Sequence, residues 1–225
     1  RMLEQLWRDM DRGGFSPVLA LDVLRFNGKL FKTPETLPLN RDQVGLQRLR
    51  TDVEAQVYGW CDGPSDVPMP YLRITVDGAG TTTSNAAGDW TIAGSGGARA
   101  VSADLYGPYV NVNNFGGSDA VYGGMAMEDL PLTLRFDDAN ARQDERDTFD
   151  AVNDIHDFFG LFDPAFAYTN TRIVAYVNRA DGYCPGNAWW DGAINFCAAS
   201  GGYANTGELQ QVIHHEFGHG VQAAI

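Results

Sequence analysis

His215 and His219 stand four residues apart, with Glu216 directly after the first, in the run His215-Glu216-Phe217-Gly218-His219. On an α-helix, positions i and i+4 lie on one face, one turn apart. Two imidazoles so placed can hold one Zn²⁺, and the carboxylate beside the first can reach a water in an open metal position as general base. The chemistry implied is metal-assisted hydrolysis. A catalytic zinc usually takes three protein ligands plus a water; His215 and His219 are two. No third ligand follows before Ile225, so a donor beyond this sequence is expected to complete the site. His214 does not share the ligand face with His219 and is expected to be structural.

The elements that must position these residues are legible in outline. Asn205 or Thr206 can cap a helix that runs to the end of the chain, with Glu208 in its first turn. Ahead of it, Asn187-Ala188-Trp189-Trp190 and Ala193 to Cys197 read as strands around a turn at Asp191-Gly192, and Ile173 to Val177 as another strand. Phe149, Val152, His156 and Phe159 recur at helical steps, and Gly160 and Pro164 end that helix. His156, on its apolar face, is expected to be buried and hydrogen-bonded. Asp137, Asp138, Asp144, Glu145 and Asp147 could hold Ca²⁺, but no D-x-[DN]-x-[DN]-G loop is present. A solvated acidic face is the expectation.

Upstream the period changes to two. Val53 to Gly59, Leu72 to Val76, Trp90 to Ile92, Val101 to Leu105 and Val110 to Val112 alternate apolar and polar residues between Gly-rich turns. Such spacing predicts a small β-sandwich. Tyr58, Trp60, Tyr106 and Tyr109 could be ligand-binding aromatics, though ordinary strand surface is the simpler reading. Residues 1–12 read as a short helix, and residues 15–50 are weakly patterned.

The 225 residues carry a formal charge of −13 and a pI near 4.5. This argues against nucleic acid and against anionic membrane surfaces as partners. No run of eighteen apolar residues exists, so no membrane insertion is expected. Cys184 and Cys197 are close enough to bridge a loop around the Trp189-Trp190 strand and are expected to pair in an oxidising compartment; Cys61 has no obvious mate. The sequence opens on Arg1 without a signal peptide and reads as an internal fragment.

The edge-strand run Asn187-Ala188-Trp189-Trp190, followed about two dozen residues later by His215-Glu216-Phe217-Gly218-His219, resembles the thermolysin-like peptidases. Val152-Asn153-Asp154-Ile155-His156-Asp157 and the closing His215 to Gly220 are similar to fungalysin catalytic domains, over roughly residues 128–225. The metzincin continuation is not met, since Gln222 and Ile225 occupy its Gly and His positions. Residues 53–124, with the hairpin Thr81 to Trp90, resemble small sandwich modules of carboxypeptidase-regulatory type. The resemblance implies an edge strand that pairs with extended substrate, with Asn187 and Ala188 holding it and Trp189 and Trp190 partly structural. It also implies a gluzincin zinc site on His215 and His219, with Ca²⁺ as a further cation.

The expected fold class is therefore α+β. A linker or pro-segment remnant (1–50) precedes an all-β sandwich module (51–125), and the N-terminal part of a zincin catalytic domain (126–225) carries a mixed sheet and the H-E-x-x-H helix. The expected function is a secreted zinc endopeptidase acting on peptide or protein substrates, with Glu216 as general base. The alternative is a non-catalytic extracellular adhesion or carbohydrate-binding protein in which the β-module carries the function.

Overall fold

A computed structural model describes residues 53–58, 64–94, 97–127 and 130–225. The helix expected at 1–12, the segment to residue 50, Trp60 and Cys61 lie outside the described residues. The fold is α+β.

The alternating segments do form strands. β1 is Val53–Tyr58, β2 Pro64–Pro68, β3 Arg73–Val76, β4 Gly80–Thr83 and β5 Arg99–Asp104. They are followed by β6 (Val110–Asn114), β7 (Val121–Ala126) and β8 (Leu134–Phe136). One antiparallel sheet has the order β4-β3-β5-β7. Its period of two sends Ile74, Val76, Val101 and Ala103 into the core and leaves Thr75 and Ser102 outside. Gly78 takes the positive φ of +68° that the tight β3–β4 turn needs. Trp90, expected on a strand, lies just past a turn instead. The Asn85 side-chain oxygen accepts the N–H groups of Ala87 and Asp89, which curls the chain there, and the Trp90 ring is buried in the core.

The later strands are β9 (Ile173–Arg179), β10 (Ala188–Trp190) and β11 (Ile194–Cys197). They form a sheet of order β10-β11-β9-β6, in which β6, β9 and β11 are parallel and β10 is antiparallel to β11. Val110 and Val112, grouped by sequence with the β-module, here pair with Ile173 and Ala175. A third sheet, β2-β1-β8, joins β1 in parallel to β8, Val53 opposite Leu134 and Ala55 opposite Phe136. Strands from either side of residue 126 thus share two of the three sheets. The alternation gave each strand its faces but not its partner, because every half-buried strand has the same period.

Helix α1 (Gln143–Gly160) packs against β1, β6, β9 and helix α2 (Gln210–Ala224). The expected solvated acidic face holds at Asp138, which is exposed, but is overturned within the helix. Asp144, Glu145, Asp147 and Asp150 are all at most 4% exposed. The pattern did not show this because α1 has neighbours on nearly every side, and compensation comes from the adjoining Arg142 together with residues distant in sequence. Arg142 donates twice to Asp144 at 2.9 Å, and Asn205 donates to the same carboxylate at 2.7 Å. Glu145 accepts from the Ala120 and Arg142 backbone N–H groups at 2.8 and 2.9 Å; burial still holds its carboxyl above the usual range. Arg146, fully buried, reaches the Ala141 carbonyl and Asp138. The carboxylates considered for Ca²⁺ are therefore engaged within the protein.

His156 is buried and its Nδ1 lies 2.9 Å from Asp157, which also accepts from the Tyr71 hydroxyl. Tyr109 stacks on His156, and Tyr106 lies between the guanidinium groups of Arg73 and Arg172. Both tyrosines are engaged internally rather than presented to a ligand.

Removing one member of a buried ionic network costs more than the network contributes, because the partners stay buried without acceptors. Asp144→Ala is therefore expected to destabilise the protein by about 3 kcal/mol, read as a lower urea midpoint at unchanged slope.

Candidate metal centre

The helix that carries the histidines begins later than expected. Asn205 does cap, accepting from Gly207 N–H, but what it caps is a single 3₁₀ turn, Thr206–Glu208. Leu209 is extended (φ −107°, ψ 97°) and breaks the run, and α2 starts at Gln210. The reason is tertiary. Thr206 Oγ1 donates to the Asn187 carbonyl and accepts from Cys197 N–H, so the turn is tied to the sheet and cannot continue straight into the helix.

Within α2, His215 and His219 fall on one face and their Nε2 atoms lie 2.9 Å apart. Two nitrogens bound to one tetrahedral zinc at about 2.0–2.1 Å stand ~3.3 Å from each other, so a small ring rotation opens the pair to a metal. Burial, aided by the neighbouring His219, holds the His215 imidazole below its usual range. It is thus neutral at pH 7, as a metal ligand must be. Glu216 is 5% exposed, its Oε2 is buried without a hydrogen-bond partner, and burial pushes its carboxyl up to about 7. His215, Glu216 and His219 form the one group of three metal-competent side chains among the described residues, with donor atoms within 4.8 Å of one another. Two facing imidazole lone pairs beside an orphaned carboxylate oxygen fit a zinc ion with a water or substrate next to it. His214 points the other way, and its Nε2–H donates to the Ala151 carbonyl at 3.1 Å.

These residues line a cleft of about 500 Å³ together with Asn187, Ala188, Trp189, Trp190, Gln222 and Ala223. Asn187 and Ala188 are thus brought to the histidines. β10 is the terminal strand of its sheet, so one edge of its backbone is unpaired in the sheet and runs along the cleft. Trp189 donates to Asp191 and is flanked by Arg179 and Tyr183. Cys184 and Cys197 form a disulfide with Cα atoms 5.4 Å apart, which ties the loop before β10 to β11. Gln222, named from sequence only as a departure from the metzincin continuation, and Ala223 were not expected as cleft residues. Their positions, three and four residues after His219, carry the signal, since those positions share its helix face. No helix of the described residues is long and apolar enough to cross a membrane.

Nothing matches this chain among protein-family models, curated proteins or solved structures.

The raised carboxyl of Glu216 makes stability depend on pH. Its folded value, about 7, exceeds the ordinary glutamate value of 4.5. The native state therefore holds the proton more tightly, and stability is lost as pH rises from the lower value through the higher. In the metal-free protein, Glu216→Gln is expected to raise stability at pH 8 by roughly 2 kcal/mol and to change little at pH 4. Thermal melts of both proteins at the two pH values check this.

Proposed function

We propose that this chain carries the metal-binding helix and substrate-pairing strand of a zinc-dependent peptidase of the gluzincin type. The observation that carries the reading is the pairing of the two Nε2 atoms with the orphaned Glu216 carboxylate, in a cleft walled by an open strand edge. The resemblance to thermolysin-like and fungalysin-type peptidases in the residues of both walls supports it.

In this reading His215 and His219 hold the zinc, and one further donor comes from outside the described residues. Zinc bound there would supply Lewis-acid chemistry toward a water and a substrate carbonyl. Glu216 takes a proton at Oε2 and later delivers it to the leaving amine; a carboxyl pushed up to about 7 suits both transfers near neutral pH. Ala188 and Trp190 offer backbone groups on the free edge of β10 to an extended peptide, so that the substrate lies as an added strand. Burial keeps Glu216 from bulk water. The disulfide supports a secreted peptidase, since such bonds persist in oxidising compartments. Strands β1 and β6 brace α1, against which the metal helix packs.

The test compares zinc content and peptide hydrolysis of the full-length protein and two variants. Glu216→Gln is expected to keep zinc and lose turnover at least a hundredfold, because an amide cannot accept the proton. His215→Ala is expected to lose both. Near wild-type hydrolysis by Glu216→Gln, or a zinc-free wild type that zinc does not activate, would sink the proposal.

A further inference from the structure

Asp191 directly follows the edge strand β10 and is exposed. Its Oδ2 accepts from Trp189 Nε1 at 3.1 Å, and its Oδ1 accepts from the Ala193 N–H at 3.3 Å and from Asn195 Nδ2 at 3.1 Å. All three donors are neutral and belong to the β10–β11 hairpin. Among the described residues no cation forms an ion pair with this carboxylate. Arg179 sits over the Trp189 ring, its Cζ 4.8 Å from the centroid, but it is matched by Asp181 through bonds of 2.8 and 3.0 Å. The turn itself does not need the charge, since asparagine offers the same oxygen to the Ala193 N–H. Asp191 is thus a fixed negative charge without a counterion, at the end of the strand that walls the cleft.

The backbone says what that charge would meet. The Cys197 N–H donates to the Asn187 carbonyl and the Asp191 N–H to the Ala193 carbonyl, so the odd-numbered positions are committed to β11. The backbone groups of Ala188 and Trp190 are left on the free edge. Ala188 and Trp190 pack their side chains against the core, whereas Trp189 and Asp191, joined by their hydrogen bond, share the opposite face. A polypeptide added along the edge places one residue opposite Trp189 and another, two residues away, opposite Asp191, with both side chains on that face. A lysine or arginine there meets a carboxylate already held in place, so little ordering cost falls on the protein side. We infer that Asp191 is a specificity-determining residue: it selects extended polypeptides with a basic side chain at the position opposite it. This inference rests on the peptidase reading. The net charge of −13 favours basic substrates wherever their charge lies; the preference assigned to Asp191 is confined to one position.

The experiment uses zinc-loaded full-length protein and a set of peptides in which one lysine is moved through an otherwise neutral, glutamine-containing sequence. The quantity read is the ratio of kcat/KM for lysine over glutamine at each position, at low salt. The wild type is expected to prefer lysine about fourfold at one position, the size of a cross-strand ion pair, and to show a small uniform preference elsewhere. High salt should erase the preference. Asp191→Asn keeps the acceptor that the turn uses and is expected to bring the ratio at that position down to that of the others. Hydrolysis of the all-glutamine peptide should stay within about twofold of wild type, because only the cross-strand charge pair is lost. A structural role would instead lower every peptide alike and leave the ratio unchanged. Asp191→Ser, which also offers the turn an acceptor, is the second uncharged variant should the first not fold. A wild type that favours lysine at no single position, or a preference that survives in the folded uncharged variant, would overturn the role of Asp191 while hydrolysis upholds the peptidase reading. Failure of the zinc-loaded wild type to cut any of the peptides would overturn both.

Discussion

The burial of a charged helix organises this protein. α1 carries four carboxylates and an arginine in its first two turns, and nearly all its faces are covered. A buried charge must be paired, and Asp144 and Glu145 reach remote segments for part of that pairing, joined by uncharged groups of the same helix. Asp144 holds Asn205, Thr148 donates to the Gly207 carbonyl at 3.2 Å, and the Ala151 carbonyl accepts from His214. These contacts fall at successive turns of α1 and meet successive parts of the segment that becomes α2. They act as a rail along which the second helix docks. With His214 held inward by Ala151, the next residue along the helix turns by about 100°. His215 and His219 are thereby set toward the cleft, and the hydrogen bond of a residue with no proposed chemistry determines where the chemistry can occur.

The opposite wall is pinned by a different set of forces. The disulfide, the Thr206 hydroxyl on Asn187 and Cys197, and the Asp191 turn each hold β10 from a different side. The strand is only three residues long, yet its position is over-determined. On the proposed reading, a wall that pairs with a flexible chain gains from such support, because ordering both partners at once would cost conformational entropy on each side. The unsatisfied Glu216 oxygen expresses the same logic in reverse. A carboxylate kept dry and without a partner is destabilising, and such groups persist where the site gains from them.

Legibility followed the range of the interactions. The i, i+4 spacing of the histidines is local, and the structure places both rings on one face with Nε2 atoms 2.9 Å apart. The alternation of Ile74 and Val76, or Val101 and Ala103, is local too, and those residues are buried. Val110 and Val112 had the same alternation, but their pairing with β9 depends on a segment some sixty residues away and leaves no trace in the local pattern. The acidic run of α1 was misread for the same reason. Solvation is the default for closely spaced carboxylates, and the adjoining Arg142, with Asn205 and the Ala120 N–H group arriving from elsewhere, makes burial tolerable. The start of α2 was misplaced by about one turn because Asn205 is a good cap for whatever turn follows it. That the turn is 3₁₀ was decided by the tie of Thr206 to the sheet.

By itself, the sequence determined the identity and helical spacing of the metal-competent side chains, the faces of the early strands, the α+β class and the pair of cysteines near enough to bridge. Each is a property of residues within about one to four turns or a short loop of each other, where backbone geometry converts spacing directly into position. The tertiary structure alone decided that Asn187 to Trp190 face His215 and His219 across one cleft, that Glu216 is dry, and that α1 is internal. Those outcomes depend on which remote surfaces exclude water together, and no local period encodes them.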